Sequence, residues 1–229
     1  MLRSGRLPSS GGVEPPPRVR IPVFPLPGIV LLPGTTLPLH IFEPRYRAMV
    51  ADALEGDRTI GMAMLKPGWE RSDGPPPIFP VGGAGRIAEA ERLSDGRYDI
   101  VLEGEFRYRV IEEAPPAQYR VAKVEPLSSV PFPSASEASA ARSDAASLFR
   151  GLAEVVELPP LPEEELGAER LASELALRLR YEPAELQALL ETDSLPRRFE
   201  VLVSRMREWR SRIEFLAPFR KGWSEPSRN

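Results

Sequence analysis

The segment from Ile21 to Arg47 constrains the fold more than any other part of the chain, because six prolines interrupt an otherwise strongly apolar run. Each proline ring fixes φ and removes a backbone N–H, which excludes the residue from the middle of a sheet ladder. The segment IPVFPLPGIVLLPGTTLPLHIFEPRYR therefore predicts short strands broken by bends, or an edge strand wrapping a small barrel. Residues 36–41 are predicted to form one strand, with Pro38 favouring a position at a sheet edge.

The pattern changes at Glu43-Pro44, where a helix is predicted to begin. Pro44 suits the first helical turn, where its missing N–H costs nothing. Apolar residues then follow at helical spacing, namely Tyr46, Met49, Val50, Ala53 and Leu54. Gly56 supplies a C-terminal stop, so we expect a helix from about Glu43 to Glu55.

The composition limits the possible classes of protein. The 229 residues are 42% hydrophobic, which is enough to bury the core of one large domain or two small ones. The chain has no cysteine, so disulfides and thiolate metal sites are excluded. A net charge of −3 gives no general attraction to nucleic acid. The first 20 residues lack the apolar region of a signal peptide, and no apolar run approaches the roughly 20 residues of a membrane span. We therefore expect a soluble cytoplasmic protein without a membrane partner.

The amino-terminal half is predicted to be rich in β-structure. Residues 1–18 are interpreted as a disordered tail, and residues 19–127 as a β-rich subdomain with one inserted helix. Thr59 to Leu65 is predicted to be a buried strand, and Asp95-Gly96 is a hairpin-turn signal. Gly104-Glu105 is interpreted as a second tight connection between strands. Several short strands at this spacing indicate a closed or half-closed barrel.

The carboxyl-terminal half is predicted to be helical. Residues 128–135 (SSVPFPSA) are interpreted as a linker, residues 136–217 as a four-helix subdomain and residues 218–229 as a tail. The last helix carries a seam of apolar residues at alternating steps of three and four, which are Leu195, Phe199, Leu202, Met206, Trp209, Ile213 and Leu216. Such a seam suits packing between helices. The predicted fold class is α+β.

The proline-rich segment resembles the opening of the LON amino-terminal domain, the substrate-binding portion of Lon proteases. The resemblance rests on the runs FPLP at residues 24–27, LPG at 32–34, LPLHIFEPRY at 37–46, GRI at 85–87, DGR at 95–97 and GEFR at 104–107. It extends over about residues 21–216, and it implies a PUA-like pseudobarrel followed by a helical bundle. The residues to which it assigns structural motif roles are Pro33, Pro38, His40, Glu43, Arg45, Tyr46, Gly104 and Arg107.

We predict no catalytic residue and no cofactor. A phosphate-binding loop needs Gly-Lys followed by Ser or Thr, but Lys66, Lys123 and Lys221 precede Pro, Val and Gly. The chain offers no plausible Ser–Lys pair for Lon-type proteolysis. Full-length members of the resembled family add an ATPase domain and a protease domain, for which this chain has no room.

Three further patterns are interpreted as structural. His40 is the only histidine, which excludes a two-histidine metal site, and we expect it to bond to backbone rather than to act in catalysis. The sequence GAGRIA from Gly83 to Ala88 formally matches a dinucleotide motif, but its context is β. Its glycines are interpreted as bulge or close-packing positions. Glu43 and Arg45 are expected to form an ion pair or helix cap.

The final helix is rich in arginine and contains interspersed glutamates. A solvated face with ion pairs between neighbouring turns is the favoured interpretation. Because PUA-like folds often bind RNA, an RNA-binding PUA-like protein is the alternative function, although the negative net charge weakens it.

The resemblance implies a non-enzymatic module that binds unfolded or exposed apolar polypeptide, as an adaptor for a protease or chaperone system. The loop from Lys66 to Pro80 supplies the candidate peptide-binding residues Trp69, Ile78 and Phe79. Aromatic side chains in a polar loop suit a binding surface, but they equally suit a plug at the barrel rim. A hydrolase with an unrecognised site is the remaining alternative.

Overall fold

The computed structural model describes residues 19–115, 117–161 and 166–220, with side chains as far as Phe215. The predicted tail 1–18, most of the tail 218–229 and the side chain of Leu216 lie outside this range. The elements are β1 (Val19–Leu26), β2 (Thr36–Ile41), α1 (Pro44–Glu55), β3 (Thr59–Met64), β4 (Val81–Arg92), β5 (Tyr98–Glu113), β6 (Arg120–Leu127), α2 (Ala135–Ala153), α3 (Ala168–Arg178), α4 (Pro183–Glu191) and α5 (Leu195–Arg220).

The six strands form one mixed sheet in the order β2-β5-β4-β3-β1-β6. Strand β5 also pairs with β6, so the pairings of β5, β4, β3, β1 and β6 run in a ring. Only β1 and β3 are parallel, with the remaining neighbours in the described sheet antiparallel. The mixed sheet and the helices that follow it confirm the predicted α+β class.

Strand β2 lies at the edge of the sheet and pairs with β5 alone among the described strands. The amide of Gly104 donates to the carbonyl oxygen of Thr35, so alternate residues after Thr35 point their backbone groups towards β5. Pro38 belongs to the other alternate residues, whose backbone groups point away from β5. Its missing N–H therefore faces away from the ladder. The predicted edge position of Pro38 is therefore confirmed, and the proline removes one donor from the exposed edge.

The prediction of a tight connection at Gly104-Glu105 is wrong, because β5 runs without a break from Tyr98 to Glu113. Gly104 serves close packing instead of a turn. A Cβ atom at this position would lie 2.3 Å from the carbonyl oxygen of Leu32. The chain before β2 thus crosses directly over β5, and only glycine leaves room for it.

The glycines of the GAGRIA sequence lie within strand β4, so the dinucleotide motif lacks its required turn and helix. A Cβ atom on Gly83 would approach the carbonyl oxygen of Leu31 to 1.9 Å, and one on Gly85 would meet the Leu31 side chain at 2.7 Å. The register of β4 against β5 also shifts between Ala84 and Gly85. The close-packing interpretation of these glycines is confirmed, whereas the extra residue at this register shift is Glu105 on β5 and not one of them.

Four α-helices follow the sheet in the described part of the chain, and their apolar stripes face a shared core. In α5, Phe199, Leu202 and Met206 are buried, whereas Trp209 and Ile213 are half-buried at its margin. The same core includes Leu32 and Val81 from the β-rich half. No helix among the described residues has the length and apolarity required to cross a membrane.

A buried arginine, Arg107, connects the β-rich and helical halves, and a second, Arg198, bonds within the helical half and to Ser129, which Arg107 also contacts. Arg107 on β5 is 1% exposed and donates to the Leu190 carbonyl oxygen at 2.9 Å, the Asp193 carboxylate at 2.9 Å and the Ser128 carbonyl oxygen at 3.1 Å. Arg198 on α5 donates to the Thr192 carbonyl oxygen at 2.7 Å. These bonds fix the start of α5 against β5.

The predicted solvated face of α5 is wrong for Arg198, which is 5% exposed. Its guanidinium contacts Glu169 at 3.1 Å, and Ser129 links both residues by accepting from Arg198 and donating to Glu169. Burial, followed by the nearby Arg107 charge, lowers the pKa of Arg198. Arg197 and Arg210 do follow the prediction, since they pair with Glu200 and Glu214 on the same helix.

Candidate functional site

A cleft with a volume of about 370 Å³ opens at one end of the sheet. Four segments meet there, which are the end of β1, the start of α1, the loop between β3 and β4 and the connection between β5 and β6. The lining residues are Pro25, Leu26, Pro27, Glu43, Arg45, Tyr46, Leu65, Trp69, Pro75, Pro76, Glu113, Ala114, Pro115, Ala117, Gln118, Tyr119 and Arg120. Three aromatic side chains and five prolines give the cleft walls that are mainly apolar and short of backbone donors.

Trp69 is the predicted peptide-binding residue that lines this cleft. It begins a single 3₁₀ turn, Trp69–Arg71, after Gly68 adopts a left-handed φ of 80°. The side chain is half-buried, while the residues from Glu70 to Pro75 are exposed. Trp69 is therefore partly packed against the protein and partly available at the cleft. It has features of both a binding residue and a plug at the barrel rim.

Ile78 and Phe79 lie at the base of the same loop and do not line the cleft. Ile78 bridges to Leu65 and packs against the core cluster that contains Ala63 and Tyr108. The amide of Phe79 donates to the Met64 carbonyl oxygen at 2.9 Å. The structure thus separates these two residues from Trp69, and their contacts hold the loop to β3.

The family motif places Glu43, Arg45 and Tyr46 along the α1 side of the cleft. Glu43 and Arg45 form the predicted ion pair, with Nη2 and Oε2 2.8 Å apart, while the Glu43 side chain caps no helical N–H. The Arg45 guanidinium lies 4.4 Å from the centre of the Tyr46 ring. Tyr46 itself is 6% exposed and packs against Phe24 with ring centres 4.3 Å apart.

The opposite rim is held by residues that the sequence did not single out. The Tyr119 hydroxyl donates to the Asp52 carboxylate of α1 at 2.6 Å, and burial together with this bond raises the pKa of Tyr119 to about 12. Arg120 pairs with Glu113 at 3.0 Å and donates to the Pro76 carbonyl oxygen at 2.7 Å. These bonds tie the β5–β6 connection to α1 and to the loop that carries Trp69.

The floor of the cleft includes the end of β1, where one strand edge is open. The ladder between β1 and β6 ends at Val23, which pairs with Arg120. The carbonyl oxygen of Leu26 accepts from Leu65 on the β3 side, so Pro25 directs its own carbonyl oxygen to the other side of the strand. This position offers a backbone acceptor to a bound chain without a competing donor.

His40 lies on β2, away from the cleft, and its predicted bonding to backbone is wrong. Its Nδ1 lies 2.5 Å from the Asp99 carboxylate, and its Nε2 lies 3.0 Å from the Arg97 guanidinium. Because Arg97 can only donate, Nε2 is the acceptor and Nδ1 carries the proton towards Asp99. The group is exposed, and no hydroxyl bonds to His40 among the described residues, so these contacts do not form a catalytic triad.

The other motif residues support the fold at a distance from the cleft. Pro33 is buried, Pro38 is exposed on the edge strand, and Gly104 and Arg107 occupy the packed junctions described above. In the described residues, no cluster of three or more histidine, aspartate or glutamate side chains is arranged to hold a metal ion. The cleft is therefore the concave site where the predicted binding residue and the sequence motif coincide.

Known proteins with similar sequences belong to the Lon proteases. A family model described as the ATP-dependent protease La (LON) substrate-binding domain matches residues 20–208. "Lon protease 2" of Myxococcus xanthus is 29% identical over 199 residues, which are 82% of this chain and 24% of the relative. The Lon protease of Escherichia coli K12 is 26% identical over 194 residues, with 82% and 25% covered. The chain thus spans about a quarter of the length of these relatives.

Two solved structures have the same fold. The crystal structure of a Lon N-terminal domain protein from Xanthomonas campestris has a TM-score of 0.59 and 26% identity, covering 81% of this chain and 98% of that one. The N-terminal domain of a Mycobacterium avium complex Lon protease has a TM-score of 0.61 and 20% identity, with 82% and 98% covered. The resemblance found in the sequence is confirmed.

Proposed function

Because this chain belongs to the LON substrate-binding domain family, we propose that it is a non-enzymatic module that binds exposed apolar segments of polypeptides. The observation that carries the proposal is the cleft that brings Tyr46, Trp69 and Tyr119 together between four segments of the chain. Aromatic and apolar walls with a few polar groups are typical of binding pockets. A polypeptide partner also fits the name of the matched family, a substrate-binding domain.

The cleft suits an extended chain with large apolar side chains. Tyr46 and Leu26 supply apolar floor, Trp69 supplies a half-buried indole, and Pro25 supplies a carbonyl acceptor for a peptide N–H. Strand addition at the outer edge of β2 is less favourable, because Pro38 removes a donor from that edge. We therefore assign recognition to side-chain pockets in the cleft, supported by few backbone bonds.

The fold is proposed to serve this role as two subdomains. The ring of strand pairings is interpreted as a PUA-like pseudobarrel over residues 19–127, and the four later helices as a bundle over residues 136–217, with residues 128–135 linking them. The bonds of Arg107 to Leu190 and Ser128 support a fixed arrangement of the two, since they cross from β5 to the linker and the helices. The cleft itself lies within residues 25–120, where the bonds of Tyr119 and Arg120 join its walls.

The absence of catalysis is part of the proposal. The His40–Asp99 pair is exposed on the sheet edge and points to no nucleophile in the described structure.

The candidate partner is an unfolded or partly unfolded protein, delivered to a protease or chaperone system. The arginines of α5 favour RNA less, because Arg198 is buried and Arg205 makes two bonds to Glu185.

Replacing Trp69 with alanine is expected to weaken binding of an unfolded protein about tenfold or more, because a tryptophan is often a dominant contact at a binding site. Fluorescence anisotropy with labelled, reduced and carboxymethylated α-lactalbumin measures the dissociation constant. The melting temperature is expected to change little, since Trp69 is only half-buried.

Phe42→Ala is the matched control, because Phe42 is 61% exposed and lies outside the cleft. It is expected to leave binding unchanged. Loss of binding in Phe42→Ala with normal binding in Trp69→Ala would refute the cleft as the binding site. If Trp69→Ala lowers the melting temperature as well as the affinity for the client, the side chain is instead a structural plug.

A further inference from the structure

The hydroxyl group of Tyr46 has no hydrogen-bond partner among the residues that the structure describes. Tyr46 is 6% exposed and lines the cleft, and the hydrogen bonds of the described residues include none to its hydroxyl. Burial raises the pKa of this phenol; the charge of Arg45 lowers it, that of Glu43 raises it and that of Arg120 lowers it, in decreasing order of effect. Arg45 and Arg120 line the same cleft as Tyr46, and the Arg45 guanidinium lies 4.4 Å from the centre of the Tyr46 ring.

The two arginines retain donors that are not used within the described structure. Arg45 contacts Glu43 through Nε and Nη2, and both atoms face the single oxygen Oε2, so Nη1 is not engaged. Arg120 donates through Nη1 to Pro76, while its Nε lies 3.0 Å from the Glu113 carboxylate without forming a hydrogen bond, so Nε and Nη2 keep unused donors among the described residues. A guanidinium carries five N–H donors, so surplus donors remain at this end of the cleft.

We infer that the Tyr46 end of the cleft binds the terminal carboxylate of a polypeptide, with the last apolar side chains of that polypeptide in the remainder of the cleft. The inference rests on the proposed function and specifies its substrate class as free carboxyl-terminal ends. Tyr46 would donate its hydroxyl proton to one carboxylate oxygen, and Arg45 and Arg120 would contribute charge-assisted bonds. The apolar walls near Leu26, Leu65 and Trp69 would receive the preceding side chains.

The size of the cleft favours a chain end over a segment that continues in both directions. Its volume of about 370 Å³ is near the lower limit of the roughly 300–1,000 Å³ usual for ligand pockets, which is room for only a few residues. The carbonyl oxygen of Pro25 can accept an N–H from one of these residues, while the prolines around it offer no competing donor. A terminal carboxylate then satisfies the donors at the Tyr46 end.

The inference is tested with three labelled hexapeptides in fluorescence anisotropy. The first is Gly-Ser-Gly-Ala-Leu-Phe with a free carboxyl terminus, and the second is the same peptide with a terminal amide. The third is Gly-Ser-Glu-Ala-Leu-Phe amide, which carries a side-chain carboxylate. The free acid is expected to bind at least about tenfold more tightly than either amide, because a hydrogen bond to a charged group is stronger than one to a neutral group.

Tyr46→Phe removes only the hydroxyl and is expected to reduce the preference for the free acid to less than about threefold. Tyr98→Phe is the matched control, since Tyr98 is 9% exposed, lies near Arg92 and does not line the cleft. It is expected to retain the full preference.

Equal binding of the free acid and its amide would overturn the inference and leave the proposed function intact. Equal binding of the free acid and the glutamate peptide would also overturn it, because the site would then read any carboxylate. If none of the three peptides binds, and unfolded α-lactalbumin does not bind either, the proposed function itself fails.

Discussion

Replacing Arg107 with alanine is expected to lower the free energy of unfolding by about 3–5 kcal/mol, because it removes a buried donor from several acceptors at once and leaves a cavity. The side chain is 1% exposed and bonds to the carbonyl oxygens of Leu190 and Ser128 and to the Asp193 carboxylate. Truncation leaves these acceptors without their donor and opens a cavity between β5 and the helices. The packing of Leu32 against the helical core is expected to loosen with it.

Chemical denaturation followed by circular dichroism measures this loss. Arg109→Ala is the matched control, because Arg109 is an exposed arginine two residues further along β5, and its replacement is expected to change stability by less than about 0.5 kcal/mol. Similar small losses in both variants would show that the Arg107 bonds are not what holds the two halves together.

Replacing Leu202 with aspartate is expected to cost more than about 4 kcal/mol, because it removes a core side chain and buries a charge without a partner. Leu202 is fully buried at the centre of the helical core. Trp209→Asp is expected to cost less, since Trp209 is half-buried at the margin of the same core.

The midpoint of urea denaturation provides the comparison, with Arg207→Asp as the control at an exposed position of α5. The expected order of stability is Arg207→Asp, then Trp209→Asp, then Leu202→Asp as the least stable. A Leu202→Asp variant as stable as the control would mean that the α5 seam is open to solvent and available to a partner.

The features predicted well from sequence are those decided by neighbouring residues. Pro44 fixes the first turn of α1, and Gly56 follows its last residue, so the predicted and observed helices agree within one residue. The Asp95-Gly96 turn depends on the left-handed φ of 81° at Gly96, which glycine adopts without strain. Pro38 indicated an edge strand because its effect on a ladder is local.

The incorrect predictions concern residues whose roles depend on distant partners. Gly104 resembles a turn glycine in sequence, but its role is set by the carbonyl group of Leu32, 72 positions earlier in the chain. Arg198 has the sequence context of a solvated helix face, yet Glu169 and Ser129 surround it in the fold. His40 finds its partners Asp99 and Arg97 across the β2–β5 pairing.

The candidate site was predictable only in part for the same reason. Trp69 and the Glu43–Tyr46 motif were each singled out, but nothing in their spacing placed them in one cleft. Tyr119, Asp52 and Arg120 carry no local motif, and their roles follow from the meeting of α1 with the β5–β6 connection. The sequence signal that could have drawn attention to Tyr119 and Arg120 is their position at the start of the last predicted strand.

Hydrogen–deuterium exchange with and without an unfolded client tests most directly whether polypeptides bind in the cleft. With excess reduced and carboxymethylated α-lactalbumin, slower exchange is expected in peptides covering residues 66–74 and 112–120, because Trp69 and residues 113–115 and 117–120 line the cleft. Exchange in β2 at residues 36–41 and in the exposed turns of α5 is expected to stay unchanged. Slower exchange confined to β2 or α5, with the two cleft segments unaffected while the client is bound, would contradict the account.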